Sequence, residues 1–112
     1  MNAKVIRQLR DRDTHCYHCG ATADLVPHHR RNRAMGGSKL LDKLSNLILV
    51  CSAYNGAMES NADVAAEARD LGHKLGQWDN FDTPVFDKVS SRWFMLTDNG
   101  DKVETSPPQY LI

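Results

Sequence analysis

Hydrophobic and polar positions divide the first half of the chain into three short elements and a long polar segment. Residues 3–12 place apolar side chains at helical spacing among charged ones and predict a short amphipathic helix. A strand begins at Leu25, and Pro27 confines it to a sheet edge or to a strand end. The stretch 46–51, NLILVC, is typical of a buried strand. Residues 30–45 are basic and are interrupted by glycine, and we expect an irregular loop there.

The second half of the chain changes to a helical pattern and then to a hairpin pattern. Asn55 is expected to begin a helical region whose apolar stripe stops at Gly72, a residue type that commonly ends helices. Ser60 or Asn61 can cap a second segment, so we expect one broken helix or two abutting helices. Segment 92–105, RWFMLTDNGDKVET, has strand-forming residues on both sides of Asn-Gly and predicts a β-hairpin. The fold class is therefore expected to be α+β.

Length and composition are those of one globular domain. The chain has 112 residues, of which 41% are hydrophobic and 25% are charged, and we expect a single soluble domain over residues 1–112. No apolar run approaches the roughly 18 residues of a membrane span. The N-terminus is charged and has no apolar export signal, so we expect a cytoplasmic protein without a membrane partner. The oligomeric state stays open.

The distribution of charge favours a nucleic-acid partner although the net charge is zero. Residues 1–50 carry nine Lys and Arg and four Asp, whereas residues 51–112 carry five Lys and Arg and ten Asp and Glu. A basic first half is typical of a surface that tolerates phosphates. Chance asymmetry on a solvated surface is the alternative interpretation.

Two adjacent histidines, His28 and His29, stand at the end of the first predicted strand in VPHHRRNRAMGG. Neighbouring strand residues point to opposite faces, so one imidazole can turn toward a cation and the other toward a water molecule. Imidazole titrates near neutral pH and can take a proton from water, and a divalent cation can stabilise charge on a phosphate. The alternative is that one histidine packs in the core and the other lies on the surface.

The three cysteines form a second group with possible chemistry. Cys16 and Cys19 lie in HCYHCG, a tight turn closed by Gly20, and Cys51 ends the second predicted strand. An odd number of cysteines argues against a disulfide framework, which leaves metal binding or ordinary burial. A redox role for the Cys-x-x-Cys pair lacks its usual βαβ context.

These motifs together resemble a known family. The order CxxC, LVPHHRRNRAMGGS, LSNLILVC and NGxxES is similar to that of the HNH endonucleases, the ββα-metal nucleases, and above all to the small standalone phage and actinobacterial versions. The resemblance covers about residues 13–72. It implies an HNH nuclease core there, preceded by an N-terminal helix and cysteine knuckle and followed by a C-terminal β-hairpin extension over residues 73–112.

The resemblance also implies roles for single residues. His29 matches the general base that activates water, and His28 matches a metal ligand. Asn46 matches the residue that pins the long loop and orients the base. Asn55 stands at the third position of the motif, where it binds the metal through its side-chain oxygen. Glu59, four residues later on the same helical face, is either a further ligand or a solvated helix residue.

The family resemblance implies a DNA substrate and one catalytic cation. The cation is Mg²⁺, Mn²⁺ or a similar divalent ion, and Arg30, Arg31 and Arg33 are expected to contact phosphates. A solvated basic loop is the alternative for these arginines. The predicted function is metal-dependent cleavage of DNA, with genome packaging beside a phage terminase as the implied setting. A non-catalytic DNA-binding or adaptor module on a degenerate scaffold is the alternative function.

Many members of the family carry two CxxC pairs that bind a structural Zn²⁺. Here Cys16, Cys19 and Cys51 remain, and Tyr54 occupies the position of the fourth cysteine. His15, His18 or, more remotely, His73 could complete a zinc site with these three thiols. The alternative is that zinc has been lost and the cysteines are buried as small apolar groups.

Overall fold

Three helices and two small antiparallel sheets build the part of the chain described by the computed structural model, residues 1–32 and 39–109. This architecture confirms the predicted α+β class. Among these residues no helix is long and apolar enough to cross a membrane. The elements are, in order, α1 (Ala3–Arg12), β1 (Leu25–His29), β2 (Leu47–Cys51), α2 (Ser52–Ser60), α3 (Ala62–Asp70), β3 (Val85–Asp87), β4 (Arg92–Leu96) and β5 (Lys102–Thr105).

Helix α1 has the predicted bounds because both of its ends are capped. The Asn2 side chain accepts a hydrogen bond from the first turn, and Leu9 is the residue that the helix buries. At the other end Asp13 is buried, and its carboxylate accepts from the Tyr17 hydroxyl at 2.8 Å and from the Leu49 amide at 3.0 Å. Asp13 therefore ties the helix to the cysteine knuckle and to β2.

Strands β1 and β2 pair antiparallel and carry the histidine pair at their far end, opposite Ile48 and Leu47. Strand β2 is buried over most of its length, as the apolar run predicted. Pro27 is tolerated in β1 because a two-stranded sheet leaves one side of each strand without a partner. The segment between the strands is less irregular than expected, because Lys39–Asp42 and Leu44–Asn46 form short 3₁₀ turns.

The helical region consists of two abutting helices, which confirms one of the two predicted arrangements. Asn61 ends α2 and begins α3, and its side chain accepts from two amides of the α3 first turn. The predicted start at Asn55 is wrong: α2 begins at Ser52, because the Cys51 sulfur accepts from the Tyr54 amide and caps the helix earlier. Gly72 follows α3 with φ +72°, a conformation that favours glycine.

The C-terminal sheet has the order β3-β4-β5 and contains the predicted hairpin. Its turn holds Gly100 at φ +91°. Strand β3 was not predicted as a strand, because three residues are too few for a period to show. The sheet packs on the same core as the rest of the chain: Val85 and Leu96 belong to one buried cluster with Cys16, Val50 and Met58.

Candidate functional site

His28 is buried between the helical region and the segment that follows it. Its Nε2 lies 2.8 Å from the carbonyl oxygen of His73, and its Nδ1 lies 3.1 Å from the side-chain oxygen of Asn55. A carbonyl only accepts, so Nε2 carries the proton and the neutral ring turns the Nδ1 lone pair toward Asn55. Burial lowers the pKa of His28 and so favours this neutral form.

The pair formed by His28 and Asn55 has the spacing of two ligands of one ion. Neighbouring ligands of an octahedral cation lie about 3 Å apart when each is about 2.1 Å from the ion. The two side chains reach this spacing from β1 and from the first turns of α2. Without an ion the amide can rotate and donate to Nδ1, so the pair is satisfied in either state. Imidazole and amide oxygen are both common metal ligands.

Glu59 lies one turn beyond Asn55 and forms an ion pair with Lys74, a residue that the sequence motifs did not indicate. Its carboxylate is 3.8 Å from the Lys74 ammonium, and the Glu59 side chain is 57% exposed. Both charges act on His28: Glu59 raises its pKa and Lys74 lowers it, although burial dominates. Glu59 is therefore near the candidate pair and is largely solvated. Lys74 could have been found only from the fold, because it lies beyond α3.

His29 points away from His28, as neighbouring strand residues do. Its Nε2 lies 2.7 Å from an Asp42 carboxylate oxygen, and its side chain is 18% exposed. The carboxylate accepts, so the neutral ring donates from Nε2 and keeps its lone pair on Nδ1. The structure thus brings His28 to Asn55 and turns His29 to Asp42. Asp42 was missed by sequence reasoning, since its role depends on a 3₁₀ turn.

Asn46 fastens both sides of the long segment between β1 and β2. Its side-chain oxygen accepts from the Arg31 amide at 2.8 Å, and its amide nitrogen donates to the carbonyl oxygens of Leu41 at 2.9 Å and Arg31 at 3.2 Å. The side chain is fully buried. These contacts hold the residues next to His29 in place, and a role of Asn46 in orienting a base stays a prediction.

The prediction that Arg30 contacts phosphate is wrong. Arg30 is 0% exposed, and its guanidinium donates to main-chain carbonyl oxygens. A buried guanidinium of this kind joins loops to one another and has no surface to offer to DNA. The acceptors include Gly72 at 2.8 Å, Ser45 at 3.0 Å, Phe81 at 3.1 Å and Thr83.

Arg31 is the one of the three predicted phosphate-binding arginines that reaches the described surface. Its guanidinium lies 4.7 Å from the centre of the Phe81 ring, and it donates to the carbonyl oxygens of Gln77 and Asp79 at 3.3 and 3.5 Å. These contacts are long and leave the half-buried side chain beside an open surface cleft. Arg33 lies outside the described residues.

The three cysteines form a compact triad that could hold a metal ion. Their sulfur atoms all lie within 4.8 Å of one another, and those of Cys19 and Cys51 are 3.7 Å apart. Ligands about 2.3 Å from a tetrahedral zinc are about 3.8 Å apart, so the distance between the Cys19 and Cys51 sulfurs fits zinc. Backbone amides donate to the Cys16 and Cys51 sulfurs at 3.4 Å. Cys16 is buried, Cys51 is half-buried and Cys19 is exposed.

Each histidine suggested as a fourth ligand has other partners. His15 lies 3.0 Å from Asp87, and His18 stacks on the Tyr54 ring with 4.0 Å between the ring centres. His73 accepts from the Tyr54 hydroxyl at 2.7 Å and donates to a main-chain carbonyl. Tyr54 stands where the family resemblance implies a fourth cysteine and supplies no thiol. Its hydroxyl donates a hydrogen bond to His73.

Comparison of the chain with protein-family models, curated proteins and solved structures finds no match. Function therefore has to be inferred from the three groups just described. These are the pair of His28 with Asn55, the pair of His29 with Asp42, and the cysteine triad.

Proposed function

We propose that this protein is a metal-dependent endonuclease of the HNH type that hydrolyses phosphodiester bonds of DNA. One observation carries the proposal: the Nδ1 of His28 and the side-chain oxygen of Asn55 meet at 3.1 Å, 27 residues apart in sequence. Two residues that occupy the metal-binding positions of the HNH pattern thus come together at the spacing of two ligands of one ion. Glu59 adds a negative charge nearby.

The catalytic cation would be held by His28 and Asn55, with Glu59 as a further ligand or a nearby charge. Such a cation supplies positive charge that stabilises the phosphorane and the leaving oxygen. The donor set is one nitrogen and one amide oxygen. Imidazole favours Mn²⁺, Ni²⁺ and Zn²⁺ over Mg²⁺, so we expect Mn²⁺ or Ni²⁺ to support higher activity than Mg²⁺ at equal concentration.

His29 is proposed as the general base, with Asp42 as its orienting partner. The Nδ1 of His29 takes a proton from water, the water oxygen bonds to phosphorus, and the bond to the 3′-oxygen breaks. Solvent supplies a proton to that oxygen, so the products carry 5′-phosphate and 3′-hydroxyl ends. The Asp42 carboxylate, 2.7 Å from Nε2, stabilises the imidazolium that forms. Asn46 keeps the adjoining backbone in place through three hydrogen bonds.

DNA is the proposed partner, and the phosphate contacts are assigned to arginines of the basic segment that follows His29. Arg31 and Arg33 are proposed to bind phosphates. Arg30 is excluded because it is buried. Genome packaging beside a phage terminase is the setting that the HNH resemblance suggests.

The cysteine triad is proposed to bind a structural Zn²⁺. Its sulfur spacing fits zinc, and it joins the knuckle to the start of α2. Such a cross-link stabilises a small core by binding the folded state alone. This metal is separate from the catalytic cation, because the two sites use different ligands.

The test is cleavage of supercoiled plasmid in Mg²⁺, Mn²⁺ or Ni²⁺, with EDTA as the metal-free control. We expect relaxed or linear DNA only with metal. His29→Ala should lower the rate by about 10²–10⁴-fold and leave the fold and DNA binding unchanged. Asn55→Ala should raise the metal concentration needed for half-maximal cleavage by about tenfold or more, whereas Asn55→Asp keeps an oxygen ligand.

A matched pair of glutamates separates a local effect from a general loss of charge. Glu59→Gln should raise the metal concentration needed for half-maximal cleavage. Glu67→Gln, whose side chain on α3 is similarly exposed, should leave that concentration unchanged. Wild-type rates in the His29→Ala variant would remove His29 as the base. DNA binding without cleavage in any of the metals would instead support the non-catalytic module.

A further inference from the structure

The cysteine triad supplies three ligands to a metal that prefers four. Zinc in structural sites is almost always four-coordinate. The chain has three cysteines and five histidines, and all eight lie in the described residues. Across residues 1–32 and 39–109, the group of histidine, cysteine and acidic side chains around these sulfurs contains the three cysteines and no other member.

The residues best placed to supply a fourth ligand are engaged elsewhere. The Tyr54 hydroxyl bonds to His73, and its ring is covered by His18. The His18 Nε2 faces Glu67 at 3.6 Å. His15 and His73 are bonded to Asp87 and to the carbonyl of Phe86. Recruiting any of these groups to the triad would break an existing contact.

The triad also has a buried side and an exposed side. Cys16 belongs to the hydrophobic core beside Val50, whereas Cys19 is exposed to solvent. An ion bound to the three sulfurs therefore has protein behind it at Cys16 and solvent in front of it at Cys19. A ligand from solvent would therefore approach such an ion from the side of Cys19.

We propose that the triad binds Zn²⁺ through three thiolates and leaves its fourth position to an exchangeable ligand from outside the chain, water at rest and a small thiol or imidazole when one is present. This deepens the zinc assignment proposed above and rests on it. The site differs from a closed four-cysteine staple, because ligand exchange needs no protein rearrangement. It follows that the metal should be lost to chelators faster than from a closed site, since a chelator can enter the fourth position directly.

Cobalt substitution of the full chain tests the proposal without DNA. Co²⁺ reports its ligands through visible d–d bands and through thiolate charge-transfer absorption. We expect one thiolate-bound Co²⁺ per reduced chain, recognised by its charge-transfer absorption, whose intensity should rise by about one third on addition of 2-mercaptoethanol, from three thiolates to four. Addition of imidazole should shift the d–d bands and leave the charge-transfer intensity unchanged.

Variants identify the fourth ligand. Tyr54→Phe and His18→Gln should respond to 2-mercaptoethanol as the wild type does. Tyr54→Cys, if it folds, should lose the response because a fourth thiol is supplied from the chain. A wild-type spectrum that does not change on addition of either ligand would overturn the proposal. A Co²⁺ spectrum of His18→Gln that differs from that of the wild type would also overturn it, because it would identify His18 as the fourth ligand. Absence of thiolate charge-transfer absorption with Co²⁺ would also overturn it, while plasmid cleavage, measured separately, would still decide the nuclease proposal.

Discussion

Replacing Arg30 by lysine tests whether the guanidinium is a buried clamp, meaning that it holds main-chain carbonyls of separate segments together, or a phosphate contact. The substitution keeps the positive charge but replaces a planar fork of five donors by three donors on one nitrogen. The Arg30 guanidinium reaches carbonyl oxygens on three separate segments, near residues 45, 72 and 81–83. A single ammonium cannot span them, so at least two carbonyls lose their donor.

The expected loss follows from those two hydrogen bonds. A hydrogen bond to a charged group contributes about 1.5–3 kcal/mol, so Arg30→Lys should lower the free energy of unfolding by roughly 3–6 kcal/mol. With an m-value of about 2 kcal/mol/M, the urea midpoint should fall by about 1.5–3 M. Complete unfolding is the upper end of this range, because a domain of this size is stable by about 5–15 kcal/mol.

Urea titration followed by far-UV circular dichroism measures the loss, with Arg31→Lys as the matched control. The Arg31 contacts are longer and lie at the surface, so this variant should lose less than about 1 kcal/mol. DNA binding gives the second measurement: Arg31→Ala should reduce the salt dependence by about one counterion, and Arg31→Lys, which keeps the charge, should not. Equal midpoints for Arg30→Lys and wild type would refute the buried clamp.

Two further predictions concern the segment after α3. Gly72→Ala should lower the free energy of unfolding by more than about 2 kcal/mol, because φ is +72° and a Cβ would lie 2.1 Å from the Pro84 carbonyl oxygen. Gly56→Ala is the control. Its Cβ would meet nothing within 4 Å, so it should be neutral or stabilising in the same urea titration. Burial lowers the pKa of His73 to about 3. Below pH ~6.5 the unfolded chain therefore binds a proton at His73 that the folded chain does not bind. Stability should therefore fall with pH from about 6.5 toward 3, by about 1.4 kcal/mol per unit from this residue. His73→Gln should reduce that slope, and an unchanged slope would contradict the assignment.

Local signals in the sequence predicted the elements whose causes are local. Helix α1, the junction at Asn61 and the hairpin at Asn99-Gly100 each depend on residues within a few positions of one another. The start of α2 was placed three residues late because a cysteine sulfur caps it, and cysteine is not among the usual capping residues. Apolar periodicity therefore located the helix but not its first turn.

The environment of single charged residues was beyond the sequence. Arg30 and Arg31 are neighbours in the same basic run, yet only Arg30 is buried, with its guanidinium bonded to carbonyls that lie 15 to 53 residues further along the chain. Asp42 acquires its partner His29 across 13 residues of a segment with no periodic pattern. The motif predicts which residues carry chemistry, and the tertiary structure decides which groups face them.

Cys51 joins the two candidate metal sites through one turn of helix. Its sulfur belongs to the triad and caps α2, and Asn55 stands four residues later on the same helix. Under the proposed function, zinc at the triad would hold the sulfur that caps α2 and so fix the turn that presents Asn55. Any such coupling is reciprocal, so the proposed catalytic cation would tighten zinc binding by the same factor.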